Sequence, residues 1–442
     1  MTRRRPFLAT TLLLLAALVG RAPAADWPQY LGPEASGVSP ETDLARSWPE
    51  GGPPVVWETP LGEGFAGAAV RDGQVYVLDR VEKREDVLRC FDLATGRPLW
   101  TFAYAAPGQL PYNGSRQVPA VDATRVFTVG PFGHMHCIDR ATHRPVWSHA
   151  ILQEFPESPA EVAKRPSEWW GVTQCPVLYK DTVIVAPRSD KVGLVAYERE
   201  SGKVRWTSPP VGRAAFAYVT PTLMTLGGTD QVVILTNTEP GAWKPAIVAS
   251  VDAAGGRLLW RLETWKPYKL PISSPLRIGD DRLFVSGAYG IGCFALRVGR
   301  QGDAWAADYA FRDNPNCVAH LHAPVLYNSH IYAQSYDIHG APAKQNGLVC
   351  LDLDGGLKWK SGPEDLYEAG GFLIADGLLF VLNGKTGDLS LAEAAPDGYR
   401  RLARAKVLAA EGGTAWAPLA LSDGKLLVRD QHAMKCLDVR RP

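Results

Sequence analysis

Two pairs of histidines, each pair separated by one residue, are the side chains of this sequence most suited to metal chemistry: His134-x-His136 and His320-x-His322. On a β-strand the two imidazoles of such a pair lie on the same face, as shared ligation of a metal ion requires. The sequence offers no third ligand for either pair, and imidazoles held by structural or pocket hydrogen bonds are the simpler interpretation. We therefore predict no metal site and assign no catalytic residue.

Catalytic signatures of other kinds are missing as well. The sequence contains no Gly-x-Ser-x-Gly elbow, no His-Glu-x-x-His motif and no phosphate-binding P-loop. What remains is a set of side chains suited to recognition, each standing just before an apolar, strand-like stretch. The candidates for ligand binding are Arg116, Trp169, Trp170, Tyr218, His320, His322, Tyr367 and Trp416, and Phe65 and Ser273 hold the corresponding positions in two further stretches. Aromatic faces, a guanidinium and imidazoles suit a planar or anionic ligand, which they bind by stacking and charge-assisted hydrogen bonds.

The elements that carry these side chains are built on one repeated hairpin, seen most clearly from Leu88 to Trp100. An apolar strand runs into Asp92, Thr95-Gly96 turns the chain, and a second short strand ends on Trp100. The interval from the acidic residue to the aromatic one recurs in later copies, unchanged or slightly altered. We predict that the repeat aromatics are structural docking residues: Trp57, Trp100, Trp147, Trp206, Trp260, Trp305, Trp359 and Tyr399.

A second kind of hairpin alternates with the first and consists of two apolar strands around a tight polar turn such as Asp72-Gly73. Eight hairpins of each kind predict an all-β fold, an eight-bladed β-propeller of four-stranded antiparallel blades. The last hairpin begins at Cys436 and lacks its tryptophan, so we expect the N-terminal strand around Trp57 to complete it and close the ring. Two stacked β-sandwiches are the alternative, but they would not place a tryptophan at the same point of each unit.

The innermost strands of a propeller converge on its axis, so segments that are distant in sequence meet at one mouth of the channel. This arrangement predicts that the candidate binding residues share a single pocket. In the alternative interpretation the same aromatic side chains only plug the channel. A location of Arg116, Trp170 and His322 on opposite faces of the ring would rule the pocket out.

Residues 1–24 are typical of an export signal. Arginines at positions 3, 4 and 5 precede an apolar run, and Ala22-Pro23-Ala24 is a small-x-small cleavage site. A twin-arginine signal and an ordinary Sec signal both explain these residues. No cysteine follows the cleavage site, so we expect a soluble periplasmic or secreted protein without a lipid anchor or a transmembrane segment.

The mature chain is expected to have two parts. Residues 25–54 are rich in proline and glycine and are interpreted as an N-terminal arm laid over the fold. Residues 55–442 contain the hairpins and form the propeller. The full sequence has a formal net charge of +1, which gives no indication of nucleic-acid binding.

The 7 cysteines would suggest disulfides in an exported protein. Five of them, however, occupy the same position of the repeat in different blades, where they are too far apart to be bridged. We therefore expect buried free thiols, and Cys175 and Cys317 stay unassigned. The five equivalent residues are Cys90, Cys137, Cys293, Cys350 and Cys436.

The motif Asp-x-x-Thr-Gly-x-x-x-Trp, complete from Asp92 to Trp100, resembles the repeat of the pyrroloquinoline-quinone (PQQ) type β-propellers. This family includes the quinoprotein alcohol dehydrogenases and BamB-like exported bacterial proteins, and the resemblance covers residues 55–442. The dehydrogenases imply PQQ and Ca²⁺ as cofactors. This chain lacks their adjacent cysteine pair and has no recognisable cluster of Ca²⁺ ligands, and it also lacks the lipobox cysteine of BamB.

Two functions follow from these observations. The first is an exported, monomeric, non-catalytic propeller that binds an envelope protein or a small planar or anionic ligand at one mouth of its channel. The second, implied by the resemblance, is a PQQ-dependent oxidoreductase that acts on an alcohol or a sugar. The missing catalytic motifs favour the first function and imply no cofactor, whereas an aromatic channel mouth on which PQQ could stack favours the second.

Overall fold

The computed structural model describes residues 25–156, 170–212, 218–239, 243–336 and 346–442. Eight antiparallel sheets of four strands follow one another around a ring, and one of them gains a fifth strand from the N-terminal segment. The predicted eight-bladed β-propeller is confirmed. In the part of the chain that the structure describes, no helix is long and apolar enough to cross a membrane.

The strands are numbered in chain order. Two precede the first blade, β1 (Val38–Ser39) and β2 (Val55–Pro60). Blades 1 to 3 consist of β3 (Ala69–Arg71), β4 (Gln74–Val81), β5 (Glu85–Asp92) and β6 (Pro98–Ala105); β7 (Ala120–Val121), β8 (Arg125–Val129), β9 (His134–Asp139) and β10 (Pro145–Ala150); and β11 (Val177–Tyr179), β12 (Thr182–Val185), β13 (Val195–Glu198) and β14 (Val204–Thr207). Blades 4 and 5 consist of β15 (Thr222–Leu226), β16 (Thr229–Asn237), β17 (Lys244–Asp252) and β18 (Leu258–Tyr268), and of β19 (Leu276–Arg277), β20 (Arg282–Gly287), β21 (Gly292–Gln301) and β22 (Ala304–Asn314).

The remaining blades follow the same order. Blades 6 and 7 consist of β23 (Val325–Tyr327), β24 (His330–Ser335), β25 (Gly347–Leu351) and β26 (Leu357–Lys360), and of β27 (Phe372–Ala375), β28 (Leu378–Leu382), β29 (Asp388–Glu393) and β30 (Arg401–Lys406). Blade 8 contains β31 (Ala420–Ser422), β32 (Lys425–Arg429) and β33 (Ala433–Asp438), with β2 as its outer strand. Helical structure in the described residues is limited to α1 (Ile151–Glu154) and the 3₁₀ turns Pro363–Asp365 and Glu411–Gly413.

The first strand of each blade is the innermost one. Neighbouring blades contact each other through these strands, as β3 does with β7 and β31, and as β23 does with β19 and β27. Each first strand ends in a tight turn such as Asp72-Gly73, where φ is +50° and +71°. All these turns lie at one end of the axis, which we call the turn end, so the segments that precede the first strands lie at the other end, which we call the mouth.

The ring closes through its two chain ends. Strand β2 pairs antiparallel with β33, and Trp57 lies opposite Cys436. The same pairing joins Trp100 to Cys90 within blade 1. The N-terminal strand therefore completes the last blade as predicted, and no blade is left with an unfinished edge.

The repeat tryptophans pack on the turn of the next blade. The ring of Trp57 lies against Gly96, and its indole N–H donates a hydrogen bond of 2.8 Å to the carbonyl of Leu93. A Cβ at position 96 would lie 2.6 Å from this ring, and φ there is +70°, so both the close approach and the backbone conformation require glycine. Trp147 and Trp206 make the same contact with Gly202 and Gly256, and Trp100 stacks on His143, which takes the place of the glycine. The indole N–H of Trp359 donates a hydrogen bond to the carbonyl of Ala395 in the next blade. The indole N–H of Trp260 instead donates to Gln231 of its own blade.

Trp305 departs from the predicted docking role. The hairpin of β21 and β22 is longer than its counterparts and turns only at residues 302–303, so that Trp305 pairs with Arg300 near the tip of the hairpin. Its ring lies against Gly227 of the preceding blade, and Phe311 takes the docking position against Gly355 of the next blade. The prediction for Trp305 was wrong because the extra residues carry it outward along the strand.

Tyr399 also departs from the prediction. Leu391 pairs with Ala403 at the point where other blades have their tryptophan. Tyr399 lies in the turn before β30, with its ring centroid 5.5 Å from that of Trp359. The short interval after Glu393 keeps the tyrosine in the turn, so it receives the tryptophan of the preceding blade instead of docking on the next one.

Residues 26–46 of the predicted arm contact the innermost strands around the axis. Trp27 forms an antiparallel bridge with Val70 of β3, and the amide of Val121 donates to the carbonyl of Pro28 at 2.8 Å. Further along the segment, β1 pairs in parallel with β27 of blade 7. The innermost strands expose backbone donors and acceptors to the axis, and this segment satisfies part of them.

Both ends of this segment are held at the turn end of the axis. The carboxylate of Asp26 accepts a hydrogen bond of 2.9 Å from the amide of Asp72, in the inner turn of blade 1. The amide of Leu44 donates to Asp376, in the inner turn of blade 7, at 3.1 Å. The segment therefore enters and leaves the channel at the same end.

All seven cysteines are buried and free, as predicted for five of them, although Ala295 and not Cys293 holds the repeat position in blade 5. Burial raises the pKa of the Cys137 thiol to about 12, so little of it is present as the reactive thiolate at neutral pH. We expect titration of the denatured, unreduced protein to give seven thiols per chain. A count of five or fewer would reveal a disulfide and contradict this expectation.

Candidate functional site

The mouth of the channel contains a cavity of about 200 Å³, here called the mouth cavity. A cavity of about 150 Å³ can accept benzene, so this space suits a small ligand that contains a ring. Six of the eight candidate binding residues line it: Arg116, Trp170, Tyr218, His320, His322 and Trp416. Phe65 lines the same cavity. Arg116, Trp170 and His322 thus lie on one face of the propeller.

The other candidates lie elsewhere. Tyr367 is buried in the core shared by blades 6 and 7, where its hydroxyl lies 2.6 Å from that of Tyr399, so its place at the mouth is corrected. Ser273 lies behind the wall and donates a hydrogen bond of 3.2 Å to the carbonyl of His322. Trp169 lies outside the described residues.

Arg116 supplies the positive charge of the mouth cavity. Its guanidinium donates to the carbonyls of Gly114, at 2.7 Å, and Tyr112, and it lies over the ring of Phe65, 5.3 Å from the centroid. Burial lowers the pKa of Arg116 to about 10, which still leaves it charged at neutral pH. Among the lining residues that the structure describes there is no aspartate or glutamate, so the wall offers this cation no carboxylate partner.

A buried arginine fixes the loop that leads to Arg116. Arg80 pairs with Asp86 at 2.8 Å, and neither side chain is exposed to solvent. The same guanidinium donates to the carbonyl of Ala106 at 2.6 Å and to the side chain of Asn113 at 3.2 Å. The cation at the cavity is therefore positioned by a second, internal cation that anchors both ends of its loop.

Five aromatic rings form a continuous part of the wall. Phe65 and Trp416 stack at a centroid distance of 5.5 Å, and Tyr112 lies 5.3 Å from Trp416. On the other side of Tyr112, at 6.5 Å, stands Trp170, which packs on Tyr218 at 5.1 Å. Such a surface favours planar, apolar ligand bodies through stacking.

His320 and His322 contribute hydrogen-bonding groups to the same cavity. The Nε2 atom of His320 lies 3.0 Å from the hydroxyl of Tyr289, and Nε2 of His322 lies 3.0 Å from the carbonyl of Ala369. Burial lowers the pKa of His322 to about 4, so the ring is neutral at pH 7. Since a carbonyl only accepts, Nε2 of His322 carries the proton and Nδ1 is an acceptor.

The other histidine pair lies outside the cavity. The ring of Tyr104 packs against His134 at a centroid distance of 5.7 Å and against His136 at 4.2 Å. Burial lowers the pKa of His136 to about 4, and its Nδ1 atom lies 2.7 Å from the hydroxyl of Ser148. This pair packs with aromatic and hydroxyl groups, in line with the structural interpretation.

Sequence reasoning missed three tyrosines of the wall: Tyr30, Tyr112 and Tyr289. Tyr112 lies farther back in the same loop as Arg116, which leads to β7, whereas Tyr289 lies in the turn between β20 and β21, which precedes no innermost strand. Tyr30 comes from the N-terminal segment inside the channel. The position rule that found the other residues gives no signal for Tyr30 and Tyr289, and in this loop it selected Arg116 alone.

The mouth cavity does not fit PQQ together with Ca²⁺. Calcium is held by oxygen ligands, mostly carboxylates, and none of the described lining residues is an aspartate or glutamate. Over the whole described part of the chain, no group of three or more His, Cys, Asp or Glu side chains is placed to hold a metal ion. The cavity is suited to an organic anion rather than to a metal-bound cofactor.

Comparison with known proteins places the chain in a family. The family model described as outer membrane protein assembly factor BamB matches residues 83–361, while no curated protein sequence matches. The quinohemoprotein alcohol dehydrogenase of Comamonas testosteroni is 13% identical with a TM-score of 0.62, over 96% of this chain and 82% of that one. The quinohemoprotein alcohol dehydrogenase ADHIIG of Pseudomonas putida HK5 is 13% identical with a TM-score of 0.61, over 95% and 81%. The computationally designed protein Ika8 is 10% identical with a TM-score of 0.58, over 88% of this chain and 100% of its own.

At these identities the solved structures show a shared fold and no more. The family model, in contrast, spans more than half of the sequence and matches the blades that carry most of the docking tryptophans. This chain belongs to the PQQ-repeat β-propeller family that is described by the outer membrane protein assembly factor BamB.

Proposed function

We propose that this propeller binds a small planar organic anion, an aromatic carboxylate, at the mouth of its channel and does not catalyse a reaction on it. The observation that carries the proposal is Arg116, a charged guanidinium in an aromatic cavity whose described wall contains no carboxylate. A partly buried cation without a counter-charge is compensated when an anionic ligand binds. The aromatic series then stacks on the body of the ligand.

The neutral ring of His322 refines this preference. His322 adds an acceptor and no charge, so the wall is suited to a ligand with one carboxylate and a hydrogen-bond donor elsewhere on its ring. 4-Hydroxybenzoate has this chemistry, and benzoate has the carboxylate and the ring without the additional donor. Benzamide has the same shape as benzoate without the charge and serves as the matched ligand.

Arg116→Met tests the proposal by removing the charge while keeping most of the side-chain volume. We expect isothermal titration calorimetry to show benzoate binding to the wild type and affinity lower by about 10- to 100-fold in the variant, since hydrogen bonds to charged groups contribute about 1.5–3 kcal/mol. Arg46→Met is the control, because Arg46 pairs with Asp376 at the turn end of the axis. Equal binding of benzoate and benzamide, or equal affinity in both variants, would reject the proposal.

The oxidoreductase alternative has its own test. Addition of PQQ and Ca²⁺ to the pure protein, followed by alcohol- or sugar-dependent dye reduction, would establish it. We expect neither cofactor absorbance nor turnover, because the described wall supplies no carboxylate for the metal.

Export and a protein partner also belong to the proposal. We infer that residues 1–24 are removed during export to the periplasm or the exterior, with Asp26 and Trp27 close to the new terminus.

The description of the family model as an assembly factor supports an envelope protein as a further binding partner. The exposed rings of Tyr112 and Trp243 offer apolar contact area for such a partner.

A further inference from the structure

Tyr30 stands between two cavities of the axial channel. The mouth cavity lies on one side, and a second cavity of about 170 Å³, here called the lower cavity, lies on the other. Tyr30 and Thr220 are the residues that line both. The lower cavity is otherwise bounded by the N-terminal segment and by residues of β11 and β15, such as Leu178 and Leu223, which places it nearer the turn end.

Tyr30 is fixed at both of its ends. Its backbone follows Trp27 and Pro28, which are bonded to blades 1 and 2. Its phenol lies beside the side chain of Ser274 and the backbone of Ala323, which precede the innermost strands of blades 5 and 6. The segment and the side chain of Tyr30 together therefore reach from blades 1 and 2 to blades 5 and 6, and burial raises the pKa of the phenol, so it stays neutral.

We propose that Tyr30 is the partition of the axial channel and that it determines which ligands the mouth cavity accepts. The inference rests on the proposed function and adds its substrate class, a carboxylate on a single aromatic ring. With the partition present, a ligand has the volume of the mouth cavity alone. Without it, the two cavities join and the space is nearly doubled.

Ligands of increasing length test the partition. Benzoate, 2-naphthoate and anthracene-2-carboxylate carry the same charge on one, two and three fused rings. We expect wild-type protein to bind the three-ring anion about tenfold or more weakly than benzoate, because forcing extra volume into a filled site is unfavourable. Tyr30→Ala should reverse this order, and Tyr30→Phe should keep it, since the ring that divides the channel is retained.

The thiol of Cys175 gives a second readout that needs no anion. Cys175 lines the mouth cavity next to Tyr30 and is almost fully buried. Methyl methanethiolsulfonate transfers its methylthio group to a thiolate, forming a mixed disulfide and releasing methanesulfinate. We expect several-fold faster modification of Cys175 in Tyr30→Ala than in the wild type, located by mass spectrometry. Cys90 and Cys350 lie in blade cores, and their lack of modification would show that the variant remains folded.

The outcomes separate the two proposals. If no carboxylate binds either protein while Cys175 becomes reactive in Tyr30→Ala, the partition stands and the proposed function fails. If the carboxylates bind with an unchanged size order and Cys175 stays protected, the partition is wrong. Should the alanine variant not fold, Tyr30→Leu replaces it, because leucine keeps apolar packing but does not span the channel, and the same readouts decide.

Discussion

Replacement of Trp57 by alanine is expected to lower the free energy of unfolding by about 3–5 kcal/mol, the usual range for a buried tryptophan. The ring is 8% exposed, packs against Gly96 and stacks with Phe91 at a centroid distance of 6.4 Å. The substitution also leaves the carbonyl of Leu93 without its indole donor. Since Trp57 lies in β2, the loss falls on the one blade that joins both ends of the chain.

Urea denaturation followed by circular dichroism measures this loss, and thermal unfolding should show a midpoint lower by about 4 °C for a chain of this length. Trp243→Ala is the matched control, because Trp243 is 54% exposed and its removal should change stability by about 0.5 kcal/mol or less. If the two variants unfold alike, the docking tryptophan does not stabilise the closure.

The architecture was predictable because each blade repeats the same physical solution. In a blade such as blade 1, the tryptophan lies opposite a small buried residue, as Trp100 lies opposite Cys90, and a glycine turn of the next blade receives its ring in the docking contact. Both contacts require fixed spacings along the chain, and these spacings are visible in the sequence. The prediction failed where one hairpin is longer than the others. Strands β21 and β22 extend to a turn at residues 302–303, so Trp305 lies near the tip and Phe311 takes the docking position against Gly355.

The binding wall was predictable in part for a related reason. Residues just before an innermost strand come together at the mouth by the symmetry of the fold, and six of the eight candidates line the mouth cavity. Tyr367 fails the rule because it has φ of +61°, in a turn that directs its side chain into the core between blades. The backbone conformation at Tyr367 determines where its side chain points, and the composition of the surrounding sequence does not reveal that conformation.

The course of the N-terminal segment could not be predicted from its proline and glycine content. Its contacts are backbone bridges to strands far away in sequence, such as Trp27 to Val70 and Val38 to Ile374. These pairings carry no side-chain signature, so the segment appears as an irregular arm until the ring is assembled around it. Its position in the channel is what makes Tyr30 part of the candidate site.

Replacement of Arg80 by methionine is expected to be as severe as the loss of Trp57, and to depend on pH. Removing one partner of a buried ion pair costs about 3–5 kcal/mol, because the other charge remains buried and unpaired. Here Asp86 would remain, together with the carbonyl of Ala106. Burial raises the pKa of Asp86 to about 6 even in the presence of Arg80, which acts to lower it, so the pKa must rise further in the variant.

The sign of the pH effect follows from this shift. A carboxyl group whose pKa is higher in the folded than in the unfolded protein contributes most stability below its unfolded pKa, and this contribution is lost as the pH rises through the folded pKa. We therefore expect Arg80→Met to unfold at lower urea concentration at pH 8 than at pH 5, with a larger difference than the wild type shows. The double variant Arg80→Met, Asp86→Asn should lose the added pH dependence, because the group that titrates is gone.

Comparison with an exposed ion pair separates the effect of burial from the effect of pairing itself. Arg205 and Asp181 lie 2.6 Å apart but are both well exposed, so Arg205→Met should change stability little at either pH. Arg80→Met should in addition weaken benzoate binding at pH 5, where the fold is retained, because the loop that presents Arg116 loses its anchors at Ala106 and Asn113. Unfolding curves of Arg80→Met and Arg205→Met that coincide at pH 8 would show that the buried pair does not stabilise the fold. Unchanged benzoate binding by Arg80→Met at pH 5 would show that the pair does not position the cation of the site.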